Sequence, residues 1–509
     1  MRKHSSITTN HERRTANGFT RALAVLTLTP ALLFAQPPSP GAPGDNKSIP
    51  VTKVERKRKA PVSAEVLRVK LPKPTELKLD NGMTLLVLED HKLPTVSLQL
   101  SIDGAGGLYE PADTPGVASF TAQMLKEGAA GRTSKQIAEQ FDQLGATMTA
   151  GTSFGSKSTT VNVSGLKDNM PQWLALAADV LLNPAFPKEE LDKLKQRQKA
   201  ILMSIRANPA FLVQERFFKA VYGDHRASMI VIAPESVDKI TREMLVKWHH
   251  EHYVPQNVRL GLAGDITAAE FGAMLEGMPA WHATGAGVPP VPPSTPATAK
   301  KVYLVDRPGS VQTDLWVGNI SLTRTDPDYI AMELMNRIVG GGPAARLFVN
   351  LREAKGFTYG AYSGLIAGHF AGPWFAQVSN RTDVTADATA ELMKEIQRIR
   401  DEKVPEAELE ECKRSEVAAF ALSLEQPSRL LNYAMMLKEY NLPADYWDTY
   451  PTKMMQLTAE QVQSVARKYI NMDTLQIVAV GDASKIKTVL EKFGPVEVYD
   501  TQGKVISKN

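Results

Sequence analysis

The amino-acid sequence predicts two related domains of the α+β class. The chain has 509 residues, of which 43% are hydrophobic and 22% charged, enough for two or three globular cores of ordinary size. A Pro-rich stretch, HATGAGVPPVPPSTPATAK, runs from His282 to Lys300 and separates two parts of similar length. A pattern near the end of the first part recurs near the end of the second, which indicates that one fold was duplicated.

The repeated pattern is a capped helix followed by an apolar strand. It reads ITREMLVKWHHEHYVPQNVRLGLAGDI in the first part and LTAEQVQSVARKYINMDTLQIVAVGDA in the second. Thr241 and Thr458 are each placed to cap an amphipathic helix, which ends at Tyr253 or Tyr469. A short break follows, and then a strand that closes on Gly-Asp. We therefore expect the same helix and strand at corresponding places in both domains.

The first 74 residues are predicted to lie outside the two domains. Residues 1–35 combine a basic region with the apolar run ALAVLTLTPALLFA, as in a secretory signal peptide. This run is shorter than the roughly 20 apolar residues that span a bilayer. We expect export to the periplasm or the medium; an uncleaved segment would instead tether the protein to the membrane. Residues 36–74 are Pro-rich and then basic, a composition that predicts a disordered linker.

These boundaries place the first domain at residues 75–281 and the second at residues 301–505, with residues 282–300 as the linker between them. The formal net charge of +4 is small for this length, and the basic residues are not interleaved with aromatic ones, so nucleic acid is not an expected partner. Cys412 is the single cysteine, so an exported chain would fold without an intramolecular disulfide.

The stretch WHHEHYVPQN, residues 248–257, gathers three histidines around Glu251 and raises the question of a metal site. The inverted zinc motif HxxEH would need a histidine at the position of Trp248. The second copy of the repeat has residues 465–468, Val-Ala-Arg-Lys, in place of residues 249–252, so this position does not require metal ligands. Basic side chains are favourable at a helix C-terminus, and we predict a helix end here.

A second apparent motif is GTSFG, Gly151 to Gly155, which fits the GxSxG pattern of serine hydrolases. That pattern requires a strand, a sharp turn and then a helix. The following residues, SKSTTVNVSGL, alternate as a strand does, so the sequence predicts a hairpin. A serine hydrolase acting through Ser153 is therefore only a minor alternative.

Five separate segments occur in an order typical of one peptidase family: LDNGMTLLVLED, GVASFTAQMLKEG, LGATMTAGTS, YVPQN and RLFVNLREAKGFTYGAYSG. With them the chain resembles, from about Thr75 onward, the insulinase (pitrilysin) family of zinc metallopeptidases, close to its processing-peptidase type. The resemblance implies two homologous α/β-sandwich domains, each a twisted sheet with helices on one side, that form half of a clam-shell dimer.

The zinc motif of that family, HxxEH, falls on GVASFTAQM in this sequence. Ser119 replaces the first histidine, Ala122 the glutamate that activates water, and Gln123 the second histidine. The third ligand, a glutamate on the next long helix, aligns with Ser204. Alanine cannot take a proton, and serine and glutamine are poor substitutes for imidazole or carboxylate. We expect this chain neither to bind zinc nor to cleave a peptide alone.

The second domain keeps two residues that match the family. Arg352 and Tyr359 in LREAKGFTY correspond to an Arg and Tyr pair that comes from the C-terminal half and reaches the substrate at the zinc site. A guanidinium can hold a peptide carbonyl, and a tyrosine hydroxyl can donate to the oxyanion. Without the resemblance, Arg352 would be expected to pair with Glu353 on a helix surface, and Tyr359 to be a half-buried strand residue.

In the two-subunit members of the family, one chain carries HxxEH and its partner supplies the Arg and Tyr pair, and the two close around an extended peptide. The strand near Gly145 to Ser153 resembles the edge strand to which such peptides are added. The resulting hypothesis is the non-catalytic, substrate-binding subunit of an exported heterodimeric peptidase, whose homologous partner holds the zinc. The alternative is a binding or scaffold protein of the same fold that has lost proteolysis, as in the core subunits of a respiratory complex.

Overall fold

A computed structural model describes residues 67–278, 280–282 and 287–508 of the chain. The predicted signal segment and most of the first linker lie outside these ranges. Within the described ranges, no helix is both long enough and apolar enough to cross a membrane.

The first half of the described chain contains eight strands and eight α-helices. They are β1 (Thr75–Lys78), β2 (Thr84–Glu89), β3 (Thr95–Asp103), α1 (Val117–Met124), β4 (Gly128–Ala129), β5 (Arg132–Thr133), α2 (Ser134–Gln143), β6 (Thr147–Gly151), β7 (Ser158–Leu166), α3 (Met170–Leu182), α4 (Lys188–Ile205), α5 (Pro209–Tyr222), α6 (Pro234–Lys239), α7 (Arg242–His252), β8 (Val258–Gly264) and α8 (Ala268–Glu276).

The second half also combines strands with helices. Its elements are β9 (Lys301–Asp306), β10 (Gln312–Ile320), α9 (Tyr329–Gly340), α10 (Arg346–Phe348), a π-helical segment (Val349–Ala354), β11 (Thr358–Leu365), β12 (Pro373–Arg381), α11 (Thr385–Asp401), α12 (Glu406–Ser423), α13 (Pro427–Glu439), α14 (Tyr446–Gln456), α15 (Ala459–Tyr469), β13 (Gln476–Gly481), α16 (Ala483–Leu490), β14 (Val496–Tyr499) and β15 (Val505–Lys508).

Each half forms one large mixed sheet, and five strands of each are paired in the same way; β4 and β5 of the first half form a separate two-stranded sheet. The first sheet has the order β1-β2-β8-β3-β7-β6 and the second the order β11-β12-β10-β13-β9-β14-β15. β2 pairs with β8 in parallel, as β9 does with β13. β3 lies antiparallel between β8 and β7, as β10 does between β13 and β12. The predicted fold class, with two related sheet-containing domains, is confirmed.

The repeated helix and strand are α7 with β8 and α15 with β13. The side chain of Thr241 accepts a hydrogen bond from the backbone N–H of Met244, and that of Thr458 accepts one from the N–H of Gln461. Both threonines therefore cap their helices as expected, because each satisfies an N–H that has no partner within the helix.

Each sheet also carries a helix from the other half on its second face. Phe217 on α5 contacts Trp316 and Phe375 of the second sheet, with ring centroids 5.4 Å and 5.7 Å away. In return, Leu431 and Met435 on α13 pack against Leu86, Leu88 and Ala263 of the first sheet. The expectation of helices on one side only is thus wrong. The central strand β13 is buried at every residue, so both faces of its sheet need an apolar cover.

The exchange of α5 and α13 predicts that the two halves depend on each other for stability. Phe217 is fully buried, so Phe217→Ala should lower the free energy of unfolding by about 3–5 kcal/mol. The loss should appear in one cooperative urea transition. The matched control, Leu93→Ala at a site 67% exposed, should change stability by no more than about 0.5 kcal/mol. Separate transitions for the two halves would contradict mutual dependence.

The described parts of both linkers lie against the domains without forming helix or strand. Leu67, Val69 and Leu71 pack on the core of the second half. In the interdomain stretch, the carbonyl of Pro289 accepts from the hydroxyl of Tyr109, 3.0 Å away. The Pro-rich composition predicts the lack of regular structure. It does not predict that apolar side chains and a backbone carbonyl of these linkers contact the domains.

Candidate functional site

The histidines of WHHEH face different surroundings at the end of α7. Trp248 is buried, and the ring of His252 stacks on it with centroids 3.7 Å apart. His249 donates from Nε2 to the carbonyl of Leu181, 2.7 Å away, and burial lowers its pKa. His250 is exposed. In the part of the chain that the structure describes, no three His, Cys, Asp or Glu side chains are grouped to hold a metal ion. The predicted helix end is confirmed.

The GTSFG segment connects β6 to β7 as an antiparallel hairpin. β7 begins at Ser158, so Ser153 lies in a loop between two strands and is not followed by a helix. The sharp strand-to-helix turn that exposes a nucleophilic serine is therefore lacking in this segment. The hairpin prediction is confirmed, and the serine-hydrolase alternative has no structural support here.

The helix that carries the degenerate zinc motif, α1, begins at a buried carboxylate. Glu110 accepts hydrogen bonds from the backbone N–H groups of Gly116 and Ala118, both at 2.8 Å. Gly116 has φ 99°, and a Cβ there would lie 2.4 Å from Ile232, so this helix start requires glycine. Burial raises the pKa of Glu110 to about 7, although the backbone N–H groups and Arg226 act in the opposite direction.

Glu110 makes the stability of the chain dependent on pH. In the unfolded chain its carboxyl titrates near the ordinary value of 4.5, whereas in the folded chain its pKa is about 7. The folded state binds this proton more tightly, so the stabilising contribution is complete below pH 4.5 and is lost as the pH rises to about 7. The difference corresponds to about 3 kcal/mol. Glu110→Gln should remove this part of the dependence when urea unfolding is compared at roughly pH 4.5 and pH 8. An unchanged dependence would exclude Glu110 as its source.

The position of the zinc motif is occupied by a chain of hydrogen-bonded amides. Gln123 donates from Nε2 to the hydroxyl of Ser119 at 3.1 Å and to its carbonyl at 3.3 Å. Gln198 on α4 donates from its own Nε2 to Oε1 of Gln123, 3.2 Å away. Ala122 is buried. An amide bridge therefore joins α1 to α4 where the family has a metal ion.

Gln198, and not Ser204, is the α4 residue that faces the motif on α1. Ser204 is exposed and lies six residues later, about 9 Å further along the helix axis. The predicted alignment at Ser204 is therefore wrong. The helical spacing could have revealed this, because Gln198 follows Leu191 and Leu194 on the buried face of α4.

These side chains do not fit a zinc ion. Structural and catalytic zinc sites use thiolate, imidazole or carboxylate groups. Ser119, Gln123 and Gln198 provide only a hydroxyl and two amides, and the alkyl group of Ala122 cannot accept a proton from water. No step of zinc chemistry can therefore be assigned to the first half.

Arg352 and Tyr359 are displayed on the surface of the second half. Arg352 lies in the π-helical segment, with its side chain 46% exposed and its guanidinium carbon 4.7 Å from the ring centroid of Phe348. Its Nε also lies 3.6 Å from Glu353. Tyr359 is 87% exposed, where the pairing of β11 with β12 is irregular. The alternative of a half-buried Tyr359 is wrong, whereas pairing of Arg352 with Glu353 does occur.

The segment that carries these two residues is anchored to the helices behind it. Arg346 donates from Nε and Nη2 to both carboxylate oxygens of Glu408, at 2.7 Å and 2.8 Å. Asn350 donates from Nδ2 to Glu391 at 3.0 Å and to Glu395 at 2.8 Å. These anchors cannot be inferred from local sequence patterns, because each joins residues at least 41 positions apart. The backbone around Arg352 is thereby held while its side chain stays accessible.

The strand expected to receive a peptide lies at an edge of the first sheet. β6 pairs with β7 on one side and ends the strand order on the other. An edge strand presents backbone N–H and C=O groups to which an extended chain can add. β11, which begins beside Arg352, occupies the corresponding edge of the second sheet.

Comparison with known proteins agrees with this geometry. Residues 85–235 match the family model described as insulinase, peptidase family M16, and residues 239–416 match the one described as peptidase M16 inactive domain. An uncharacterized zinc protease of Rickettsia bellii is 29% identical over 340 residues, which are 65% of this chain and 79% of the relative.

Solved structures show the same arrangement. The crystal structure of the peptidase M16 inactive domain from Pseudomonas fluorescens has a TM-score of 0.75 and 27% identity, and the match covers 80% of this chain and 98% of that one. A protease from Helicobacter pylori has a TM-score of 0.74 at 17% identity, over 81% of this chain and 100% of that one, and so shares the fold.

The fold and the site together define a two-domain, peptidase-like protein. At the position of the zinc motif it has the amides of Gln123 and Gln198 and the methyl group of Ala122. The two family models follow each other along the chain, and the residues that they match include strands of both sheets. The chain belongs to the insulinase family, peptidase family M16, as a member of the non-catalytic type.

Proposed function

We propose that this chain is the non-catalytic, substrate-binding subunit of an exported heterodimeric zinc metallopeptidase that degrades or processes unfolded peptides. Its partner is a homologous subunit with an intact HxxEH motif, and that subunit holds the zinc ion. One contrast carries the proposal. The first half offers no metal ligand on α1 or at Gln198, whereas the second half presents Arg352 and Tyr359 on an anchored, accessible segment.

The two exposed side chains suit a peptide bond under attack. The guanidinium of Arg352 can hold a substrate carbonyl, and the hydroxyl of Tyr359 can donate to the oxyanion that forms as the carbonyl becomes tetrahedral. Neither group activates water, and Ala122 cannot do so either. The partner therefore supplies the metal ion and the general base, and this chain supplies binding and charge stabilisation.

An extended peptide can also bind through its backbone. The edge strand β6 has a free side, and addition of a strand there satisfies main-chain groups whatever the peptide sequence. This mode of binding suits unfolded peptides, because a folded substrate has few unpaired main-chain groups. The exchange of α5 and α13 joins the two halves of this chain into one body. Opening and closing around a peptide is therefore a movement between the two subunits.

The test is reconstitution with a homologous chain that carries HxxEH, sought first in the neighbouring gene. Each subunit alone should leave a quenched fluorescent, unfolded peptide intact, and the mixture with zinc should cleave it. If the two chains form a complex but this chain adds no activity, the chain is instead a binding or scaffold protein of the same fold. If no complex forms with such a partner, the proposed heterodimer is excluded.

A further inference from the structure

The junction between the two halves contains a cavity that the proposed function does not use. Its volume is about 170 Å³. The loop between β6 and β7 and the loop between β11 and β12 both line it, together with the C-terminal ends of α5 and α13. These are corresponding elements of the two halves, so the cavity lies where the duplicated parts meet. Arg352, Tyr359 and the amides on α1 do not line it.

Two tyrosines from corresponding helices stand in its wall with hydroxyl groups that lack partners. Tyr222 ends α5 and is only 5% exposed, and Tyr440 directly follows α13. Among the described residues, no group forms a hydrogen bond with either hydroxyl. The Tyr440 ring stacks on His369 with centroids 4.5 Å apart, which fixes its orientation.

A lysine adds spare donors to the same wall. Lys157 donates to Oδ2 of Asp103 at 2.9 Å, which uses one of the three N–H bonds of its ammonium group. Asp103 is also bonded by both terminal nitrogens of Arg259, so two cations share one carboxylate. This cluster has one positive charge in excess. Together with the two tyrosine hydroxyls, it favours a carboxylate in the cavity.

The cavity also contains a carboxylate that can bind an ammonium group. Glu439 lines the cavity, and its Oε1 lies 3.1 Å from Nε2 of His369. The second oxygen, Oε2, bonds to no group in the described ranges, so it can accept from an ammonium group. Leu108, Ile366 and Phe370 form an apolar part of the lining.

We propose that this cavity binds a free α-amino acid with an apolar side chain. Lys157 and the hydroxyls of Tyr222 and Tyr440 hold its carboxylate, Glu439 holds its ammonium group, and the side chain lies against the apolar part of the lining. An engineered cavity of about 150 Å³ accommodates benzene. A cavity of about 170 Å³ therefore suits a single amino acid and is too small for a peptide.

The first experiment titrates the full chain by isothermal calorimetry with L-leucine, 4-methylvalerate and isoamylamine. All three probes carry the same apolar group. Leucine has both the carboxylate and the ammonium group, the acid has only the carboxylate, and the amine has only the ammonium group. Leucine should bind saturably with one site per chain. 4-Methylvalerate and isoamylamine should each bind at least about tenfold more weakly, because each lacks one set of charged hydrogen bonds. No leucine binding, or equal binding of either half-ligand, would overturn the proposal.

Variants then locate the site. Tyr222→Phe and Glu439→Gln should each weaken leucine binding about tenfold while circular dichroism shows an unchanged unfolding midpoint. Neither change removes a contact that the fold uses, since an amide oxygen at position 439 can still accept from His369. A Cβ at Gly368, in the lining, would meet no heavy atom within 4 Å, so Gly368→Leu has room to fill the cavity and should abolish binding.

The control is Tyr303→Phe, which removes a hydroxyl that bonds to Gln476 and lies outside the cavity. It should leave leucine binding unchanged. Leucine binding that survives Gly368→Leu in a folded chain would place the ligand elsewhere and refute this site. Leucine binding is measured on this chain alone, so its outcome tests the cavity and does not test the proposed heterodimer.

Discussion

The Arg352→Ala substitution is expected to lower the turnover number of the two-subunit complex on an unfolded peptide by about 10²- to 10³-fold. Removal of one donor to a developing oxyanion has an effect of this size, and we expect the same from loss of the guanidinium that holds the substrate carbonyl. Tyr359→Phe, which removes only a hydroxyl, should act in the same direction. The side chains are 46% and 87% exposed, so the free energy of unfolding should change by no more than about 0.5 kcal/mol. Steady-state kinetics and urea unfolding measure the two quantities.

The matched control for Arg352 is Arg414→Ala on α12, where the arginine is 49% exposed and pairs with Glu410. It should leave turnover unchanged. Analytical ultracentrifugation should show that all variants still form the complex, which separates a loss of chemistry from a loss of assembly. Full activity of Arg352→Ala and Tyr359→Phe in an intact complex would remove both residues from the proposed role, even if the heterodimer itself is real.

A zinc site is expected to appear when three side chains are restored together: Ser119→His, Gln123→His and Gln198→Glu. The first two positions are four residues apart on one face of α1, and Gln198 already bonds to Gln123 across from α4. Three protein ligands with an open fourth position are the usual set of a catalytic zinc site. The triple variant should retain about one zinc ion per chain after gel filtration, as measured by mass spectrometry of the metal.

The discriminating control replaces Gln198→Glu by Ser204→Glu in the same background. Position 204 is exposed and about 9 Å further along α4, so its carboxylate cannot complete the site. This variant should hold zinc only substoichiometrically. Equal zinc content in the two variants would contradict the assignment of Gln198. Ala122→Glu is omitted from both, because Ala122 is buried and a charge there would be costly without a partner.

Local features of the sequence predicted much of the fold. The caps at Thr241 and Thr458, the hairpin after Gly151 and the helix end at WHHEH depend on residues close together in the chain. The loss of the zinc ligands at Ser119 and Gln123, and of the water-activating glutamate at Ala122, also follows from residue identity alone. The α4 residue that faces them, Gln198, was not predicted. Gln198 and Ser204 are both polar and lie six residues apart on one helix, so a single sequence does not show which of them faces α1. The contact of Gln198 with Gln123 joins positions 75 residues apart.

The sequence by itself determined the duplication, the degenerate motif on α1 and the presence of Arg352 and Tyr359. Only the tertiary structure decided that α5 and α13 cover the sheets of the opposite halves, that Arg346 and Asn350 anchor the segment around Arg352, and that Tyr222 and Tyr440 meet at one cavity. The physical reason is the separation in sequence between the residues that interact. Capping and periodicity act over a few residues, whereas the choice of which apolar face covers which sheet is made between segments far apart in the chain, where many pairings bury similar area.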